Sequence, residues 1–295
     1  YWKDGAETRK WKQNKKIIFS SSIMKKKLSS IAGLTLVEIL IAVVISALMM
    51  AAMFTSYSIV NSTYRQVTDR AKISQAGRDL VGQILREVRM AGYKYINDDI
   101  PASNSHNPIK ITKGTGIGSS CDKIEIVYGG IKYDREADEG NRFSYTRYKI
   151  TYECKKSTII DETIPGGATV IEGFAVYKSK HRWDTSLSIW SDPAADSDET
   201  TYEDEKILDY VQDLVFIPFD EDGRIFAGSP APSDSDAYKI KSVDISIVVR
   251  SSKAFYRSKA MRTITSIATG RDISKEDKYF RETITVTANT RNLGI

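Results

Sequence analysis

In the stretch KKKLSSIAGLTLVEILIAVVISALMMAAMF, Lys25 to Phe54, three lysines precede a long apolar run. It holds one acidic residue, Glu38, and the 26 residues from Ile39 to Tyr64 carry no charge. A bilayer core of about 30 Å needs roughly 20 helical residues, so this run is long enough to span a membrane. A carboxylate in such a helix costs about 2.5–3.5 kcal/mol at mid-membrane and less near its end, so Glu38 requires an explanation.

The charges on either side of the run predict its orientation. Residues 1–33 hold nine Lys/Arg and two Asp/Glu, whereas the other 262 residues hold 34 and 36. Because positive charges stay on the cytoplasmic side, the N-terminus is expected in the cytoplasm and everything after Arg65 outside. The exported part is slightly acidic, which argues against nucleic acid as a partner.

Three kinds of N-terminal segment fit this pattern, and they differ in where a peptidase cuts. A secretory signal is cut after its apolar region, where MMAAMF (49–54) is a poor site. A plain signal anchor is not cut. A third kind is cut before the apolar region, and AGLTLVE (32–38) lies where that cut would fall.

Basic residues, Gly33, a hydrophobic residue and then Thr-Leu-Val-Glu before a long apolar run closely resemble the cleavage and methylation signature of type IV prepilins. The resemblance implies that a prepilin peptidase cuts between Gly33 and Leu34 and methylates the new amino terminus of Leu34. Glu38 then becomes the fifth residue of the mature chain. The family usually has Phe at the first mature position, where this chain has Leu34.

The same resemblance assigns Glu38 and Thr35 to subunit assembly. In a filament of such subunits, Glu38 is expected to face the positive amino terminus of a neighbour. With water excluded, that pairing is strong and depends on geometry. The alternative is a Glu38 near the cytoplasmic headgroups without a partner.

The expected domain organisation follows from this signature. Residues 1–33 form a cytoplasmic leader, of which 1–23 are expected to be upstream sequence read through in error, because Met24 begins a leader of ordinary length. Residues 34–92 are expected to form a long helix that is transmembrane in its first half, and 93–295 a periplasmic or extracellular β-rich globular head. The implied location is the inner membrane, as a single-pass protein with the head outside, and then a cell-surface pilus. The implied partners are the prepilin peptidase and other major and minor pilins.

Beyond Arg65 the helix becomes amphipathic. Apolar residues recur with a mean step of 3.6, the period of an α-helix, and Gly92 is a credible C-terminal stop. Gly77 and Gly82 weaken its middle by up to about 1 kcal/mol each. The stripe, expected to pack against the head, comprises Ile73, Ala76, Leu80, Ile84, Val88 and Ala91, widened by Val81 and Leu85.

After Tyr93 the sequence turns to short segments that alternate apolar and polar residues, the pattern of half-buried antiparallel strands. An antiparallel sheet packed on one long helix, an α+β and pilin-like fold, is therefore predicted. DEDGR (220–224) is a predicted hairpin turn. The predicted strands lie within 123–130, 147–154, 169–177, 210–220, 238–250 and 281–290.

The two cysteines, Cys121 and Cys154, flank the first predicted hairpin in an oxidising compartment, so a disulfide is expected. If Ile124 and Ile126 share a face with Ile150 and Tyr152, strict alternation puts Cys121 opposite the face of Cys154. An irregular start at Cys121 would resolve this conflict.

No catalytic, cofactor or metal site is predicted. His106 and His181 lack metal-ligand spacing. The glycines of 114–120 lack the Lys and the helix of a phosphate loop, and the acidic segments 192–205 and 232–237 do not match a calcium loop. Trp183 and Trp190, in a polar stretch, mark either an interface or side chains partly buried under a loop. An enzyme is not expected.

Within the prepilin class, 85–93, 242–251 and 281–292 resemble the corresponding ends of PilW-type minor pilins. The head, near 200 residues, is also larger than expected for a major pilin. A minor pilin that primes assembly at or near the filament tip is therefore the first hypothesis. The alternatives are a minor pseudopilin of a type II secretion system and, more distantly, a membrane-anchored periplasmic binding protein.

Overall fold

The computed structural model describes residues 35–93, 106–114, 121–133, 135–136, 138–140, 142–159, 173–196, 198–226 and 239–293. The chain divides into two compact units, Tyr1–Ser58 and Ile59–Ile295. One helix, α1, covers Leu36–Met90. The strands are β1 Ile109–Thr112, β2 Lys123–Tyr133, β3 Phe143–Lys156, β4 Phe174–Asp184, β5 Ile189–Trp190, β6 Tyr202–Phe219, β7 Ser242–Arg250, β8 Ala260–Ile264, β9 Ile273–Asp277 and β10 Arg281–Asn289.

The main sheet of the second unit is antiparallel throughout. Its strand order is β1-β2-β3-β4-β6-β7-β10, with β5 paired to β4, while β8 and β9 form a separate two-stranded sheet. The second half of α1 packs on this sheet through one continuous apolar core. The predicted α+β fold, a long helix on an antiparallel sheet, is confirmed.

The stripe that the helical period predicted is the face of α1 that packs on the sheet. Leu80, Val81, Ile84, Val88 and Ala91 are buried, and Ile73 and Leu85 pack against them. The helix ends at Met90, and Gly92 follows with a φ of 70°, the left-handed conformation typical of a helix stop. A Cβ at Gly92 would lie 2.5 Å from the Leu293 side chain.

The register of β2 and β3 is the one that the apolar alternation required. Ile124 lies opposite Tyr152 and Ile126 opposite Ile150, and all four are buried on the face toward α1. Strands are present in all six predicted segments, although the part of 169–177 before Gly173 lies outside the described residues. The predicted turn at 220–224 is present, with Gly223 at a φ of 74°.

Four short strands, β1, β5, β8 and β9, are absent from the predictions. The polar stretch 181–190 forms the end of β4, a turn and β5, rather than a loop alone. Each of these strands has two to five residues, too few for a period of two to stand out from chance.

Strand β6 changes partner along its length. Its first part pairs with β4 and its second part with β7, and the two registers meet at an irregularity near Val211. Tyr210, just before it, has a φ of 62°, which a non-glycine residue adopts only when its surroundings impose it. A bulge of this kind bends a strand. Strand β6 therefore pairs with β4 before the irregularity and with β7 after it.

The two helix glycines differ in their surroundings. A Cβ at Gly77 would lie 2.5 Å from Cδ1 of Ile284, whereas a Cβ at Gly82 would meet nothing within 4 Å. Gly77 therefore allows α1 to approach β10 closely, and Gly82 has no such role.

We expect Gly82→Ala to raise the free energy of unfolding by roughly 0.5–1 kcal/mol, because alanine favours the helix and the site has room. Gly77→Val should lower it by roughly 1–3 kcal/mol, because the branched side chain overpacks the contact with Ile284. Urea unfolding of the full chain in detergent measures both. Equal effects of the two substitutions would contradict the close approach.

Candidate functional site

The apolar helix begins with a local cap. The Glu38 backbone N–H donates to the Thr35 side-chain hydroxyl at 3.3 Å and to the Thr35 carbonyl at 3.0 Å. A hydroxyl that accepts from the third helical residue satisfies one of the free donors of a helix start. Thr35 and Glu38 also have the T-x-x-E spacing of a capping box, a signal in the sequence that points to this role of Thr35.

Glu38 lies in the first turn of α1, where the partial positive charge of the helix start stabilises a carboxylate by about 0.3–1 kcal/mol. Its side chain is exposed. Gly33 and Leu34, the predicted cleavage and methylation residues, lie outside the described residues.

The side chains that follow Glu38 are apolar and exposed. From Leu36 to Tyr57 the large apolar side chains range from 50% exposed at Val44 to 77% at Leu36. Exposure of a long apolar run in water is unfavourable by about 25 cal/mol per Å². Within the part of the chain that the structure describes, α1 is the helix long and apolar enough to cross a membrane.

The cysteines meet at the start of β2. Their sulfur atoms are bonded and their Cα atoms lie 5.9 Å apart. Cys121 does not continue the alternation of β2, because it forms a bridge with Leu214 of β6, outside the strand. This is the irregular start that the register of Ile124 and Tyr152 requires.

A buried cluster of charged groups, which no sequence pattern indicated, adjoins Cys121. Asp122 is fully buried and accepts hydrogen bonds from Gly114 N at 2.9 Å, Phe216 N at 3.1 Å and Lys113 Nζ at 3.1 Å. Arg271 Nη1 donates to Asp122 at 2.5 Å, and its Nη2 donates to the fully buried Asp213. Arg271 follows β8 by several residues, so this contact ties the β8–β9 connection to β2 and β6.

The two acids of the cluster differ in their hydrogen bonding. Asp122 has four donors, whereas one oxygen of Asp213, Oδ2, has no hydrogen-bond partner among the described residues. Burial raises the pKa of Asp213 to about 7; Arg271 opposes this rise, and the Asp122 carboxylate adds to it. Because Arg271 occupies the space between the carboxylates, the cluster is built as an ion-pair network and not as a cation site.

The two tryptophans of the polar stretch are partly buried and pack together. The ring centroids of Trp183 and Trp190 lie 5.2 Å apart in an edge-to-face arrangement, and that of His106 lies 4.2 Å from Trp183. Burial lowers the pKa of His106 to about 4, and the charges of Arg147 and Lys149 add to the effect. His106 therefore serves in packing, and Lys149 Nζ lies 4.8 Å from the centroid of Trp190.

The described residues of the head form apolar surfaces, a disulfide and ion pairs. Among the described residues, no group of three His, Cys, Asp or Glu side chains could hold a metal ion. Of the site residues predicted from the sequence, those that the structure describes lie in two places, Thr35 and Glu38 at the helix start and the two cysteines at β2.

No protein-family model matches the chain, and no curated protein sequence matches it. Among solved structures, the fold is similar to that of a type IV-like pilin from Thermus thermophilus, with a TM-score of 0.46 and 9% sequence identity. The similarity covers 75% of this chain and 97% of that one.

The raised pKa of Asp213 predicts a pH effect. Between the usual pKa of an aspartate, about 4, and the folded value of about 7, the folded state binds the extra proton, so this group stabilises the fold at low pH. That contribution is lost as the pH rises through about 7.

The free energy of unfolding of the Asp213→Asn chain, minus that of the unmodified chain, should therefore be lower at pH 5 than at pH 8. The reason is that asparagine has no proton to gain. Urea unfolding at both pH values, in detergent, gives this difference, and the contribution of His106 cancels in the comparison. The exposed Asp222→Asn is the matched control and should show no such difference. An effect of Asp213→Asn that is the same at both pH values would refute the assignment.

Proposed function

We propose that this chain is a minor pilin of a type IV pilus, a structural subunit that helps to initiate and assemble the filament at or near its tip. The observation that carries the proposal is the first half of α1. It is apolar on all sides and exposed, with Glu38 as its single charge at the start. Such a segment needs lipid around it before assembly and other helices around it afterwards.

Maturation accounts for the order of the N-terminal residues. A prepilin peptidase that cuts between Gly33 and Leu34 leaves the apolar helix on the mature chain and creates a positive amino terminus. The Thr35 cap begins the helix beside that terminus. The new amino group of one subunit then pairs with Glu38 of its neighbour, which neutralises both charges away from water.

The head supplies the surfaces of the subunit. The sheet packs on the second half of α1, so the first half stays available for lipid and for neighbouring subunits. The bridge between Cys121 and Cys154 closes a loop of 33 residues and, in the oxidising space outside the membrane, should stabilise the head by roughly 3–4 kcal/mol.

Replacement of Glu38 by alanine tests the pairing. Leaving a buried amino group without its partner costs about 3–5 kcal/mol, so incorporation into filaments should fall at least about a hundredfold. Cleavage should be unaffected, because the cut precedes the helix. The amount of the chain in sheared filaments, compared with processed protein in the membrane, measures the effect.

Thr55→Ala is the matched control on the same helix. The Thr55 hydroxyl bonds within the helix, to the Ala51 carbonyl at 2.9 Å, so its loss should leave incorporation near normal. Incorporation of the Glu38→Ala chain at the normal level would contradict the proposed pairing.

A further inference from the structure

A strongly basic segment follows β7 and runs into β8. Its sequence, SSKAFYRSKAMR (251–262), holds four basic side chains and no acidic one. The residues after Gly33 as a whole hold 34 basic and 36 acidic side chains, so this concentration of positive charge departs from the rest of the head. We call residues 251–262 the basic segment.

Three cations of the basic segment are available to a partner. Lys253, Arg257 and Lys259 are exposed, and none of them forms an ion pair with another residue that the structure describes. The fourth cation, Arg262, is engaged within the head, because its guanidinium lies 3.6 Å from the ring centroid of Tyr256.

The basic segment is fixed to the strand region that precedes β10. The backbone N–H groups of Phe255 and Tyr256 donate to the Lys278 carbonyl at 2.8 and 2.9 Å, and the Ser251 N–H donates to the Phe280 carbonyl at 2.8 Å. The rings of Phe255 and Phe280 pack with their centroids 5.1 Å apart. The cations are therefore presented by a backbone that does not have to be ordered on binding, which lowers the entropic cost of a contact.

The same segment contacts α1 just after its uncharged run. The Gln66 side chain donates through Nε2 to the Phe255 carbonyl at 2.8 Å, and the Arg70 guanidinium lies 5.1 Å from the ring centroid of Phe280. The uncharged run ends at Tyr64, two residues before Gln66. The basic segment thus lies beside the part of α1 where charged side chains first reappear.

The rise of the helix places this contact near the surface of a bilayer. Counted from Ile39, the roughly 20 residues that cross the hydrocarbon core end near Ile59. The helix rises by about 10 Å from Ile59 to Gln66, and the headgroup layer takes up roughly 5–7 Å of that rise. The remaining distance of about 3–5 Å is shorter than the screening length of about 8 Å at physiological ionic strength.

We propose that the basic segment docks on anionic phospholipid headgroups of the bilayer that α1 spans before assembly. The inference rests on the proposed function, because it requires α1 to be anchored in a membrane. Phosphodiester groups carry the charge that Lys253, Arg257 and Lys259 complement, and Lys and Arg side chains are attracted to anionic lipid within a screening length. Met261, which is 66% exposed, adds the apolar contact that interfacial segments combine with cations.

The position of the segment favours lipid over an acidic protein as the partner. Every anchored copy has headgroups beside the end of its uncharged run, so the contact needs no second protein at a matching height. The contact holds the head at the membrane surface until the subunit leaves the bilayer for the filament.

Fluorescence quenching on the full-length chain tests the contact. Ser258→Cys, which lies exposed between Arg257 and Lys259, takes an environment-sensitive fluorophore, while Cys121 and Cys154 stay bonded to each other. The labelled chain is reconstituted in vesicles of phosphatidylcholine, with or without phosphatidylglycerol, in which some headgroups carry a nitroxide quencher. Quenching should be about twofold stronger with the anionic lipid at about 0.1 M salt, and it should fall to the neutral-lipid level at about 1 M, where the screening length is about 3 Å.

Removal of the three available cations should abolish the effect of anionic lipid. Because these side chains are exposed, urea unfolding in detergent should not change in the variant Lys253→Gln, Arg257→Gln and Lys259→Gln. The matched control removes three exposed cations of α1 that begin about 18 Å along the helix from Gln66, beyond the screening length. This control, which should keep the effect, carries Arg78→Gln, Arg86→Gln and Arg89→Gln.

Three results would overturn the inference. The first is equal quenching of the Ser258→Cys label in neutral and anionic vesicles. The second is an equal loss of quenching in the variant and in its matched control. The third is a label that responds to an added pilin subunit but not to anionic lipid, because the basic segment would then be a protein interface.

A second label separates this inference from the proposed function. Ala47→Cys lies in the apolar half of α1, and its quenching by nitroxides on the acyl chains reports that this half is in the bilayer. Quenching at Ala47→Cys without a lipid-dependent signal at Ser258→Cys overturns only the headgroup contact. The absence of quenching at both positions overturns the membrane stage of the proposed function as well.

Discussion

The exposed apolar half of α1 is the constraint on which the rest of the molecule depends. Its large side chains have no cover within the part of the chain that the structure describes, and Glu38 is its only charge. Water is a poor environment for such a segment, and lipid is a poor environment for its carboxylate. A helix that moves from a bilayer into a bundle of like helices, with an amino group to meet Glu38, satisfies both requirements.

The sheet of the head packs on the second half of this helix. That half is one-sided, and it packs on the sheet through the stripe from Ile73 to Ala91. Gly77 permits the close approach to β10, and Gly92 ends the helix where the chain must turn into the head. Asp122, Asp213 and Arg271 then fix the β8–β9 connection to the sheet.

Features that rest on local periodicity could be predicted from the sequence. The apolar run, the helical stripe and the six main strands each repeat over enough residues to stand out, and the register of Ile124 with Tyr152 followed from alternation. Arg271 lies 149 residues from Asp122 and 58 from Asp213, so no local pattern could reveal their contact. The positive φ of Tyr210 falls on a non-glycine residue, so no glycine marks the irregularity in the sequence. The T-x-x-E spacing of Thr35 and Glu38, by contrast, is a local signal of the helix cap.

The most direct test of this account is the intact mass and N-terminal sequence of the chain produced together with a prepilin peptidase. We expect a mature chain that begins at Leu34, heavier by one methyl group and lighter by the two hydrogens lost in the Cys121–Cys154 bond. The apolar helix would then be retained with Glu38 as its fifth residue. An uncut chain, or a chain cut after the apolar run, would contradict it, because Glu38 would then have no new amino terminus to meet.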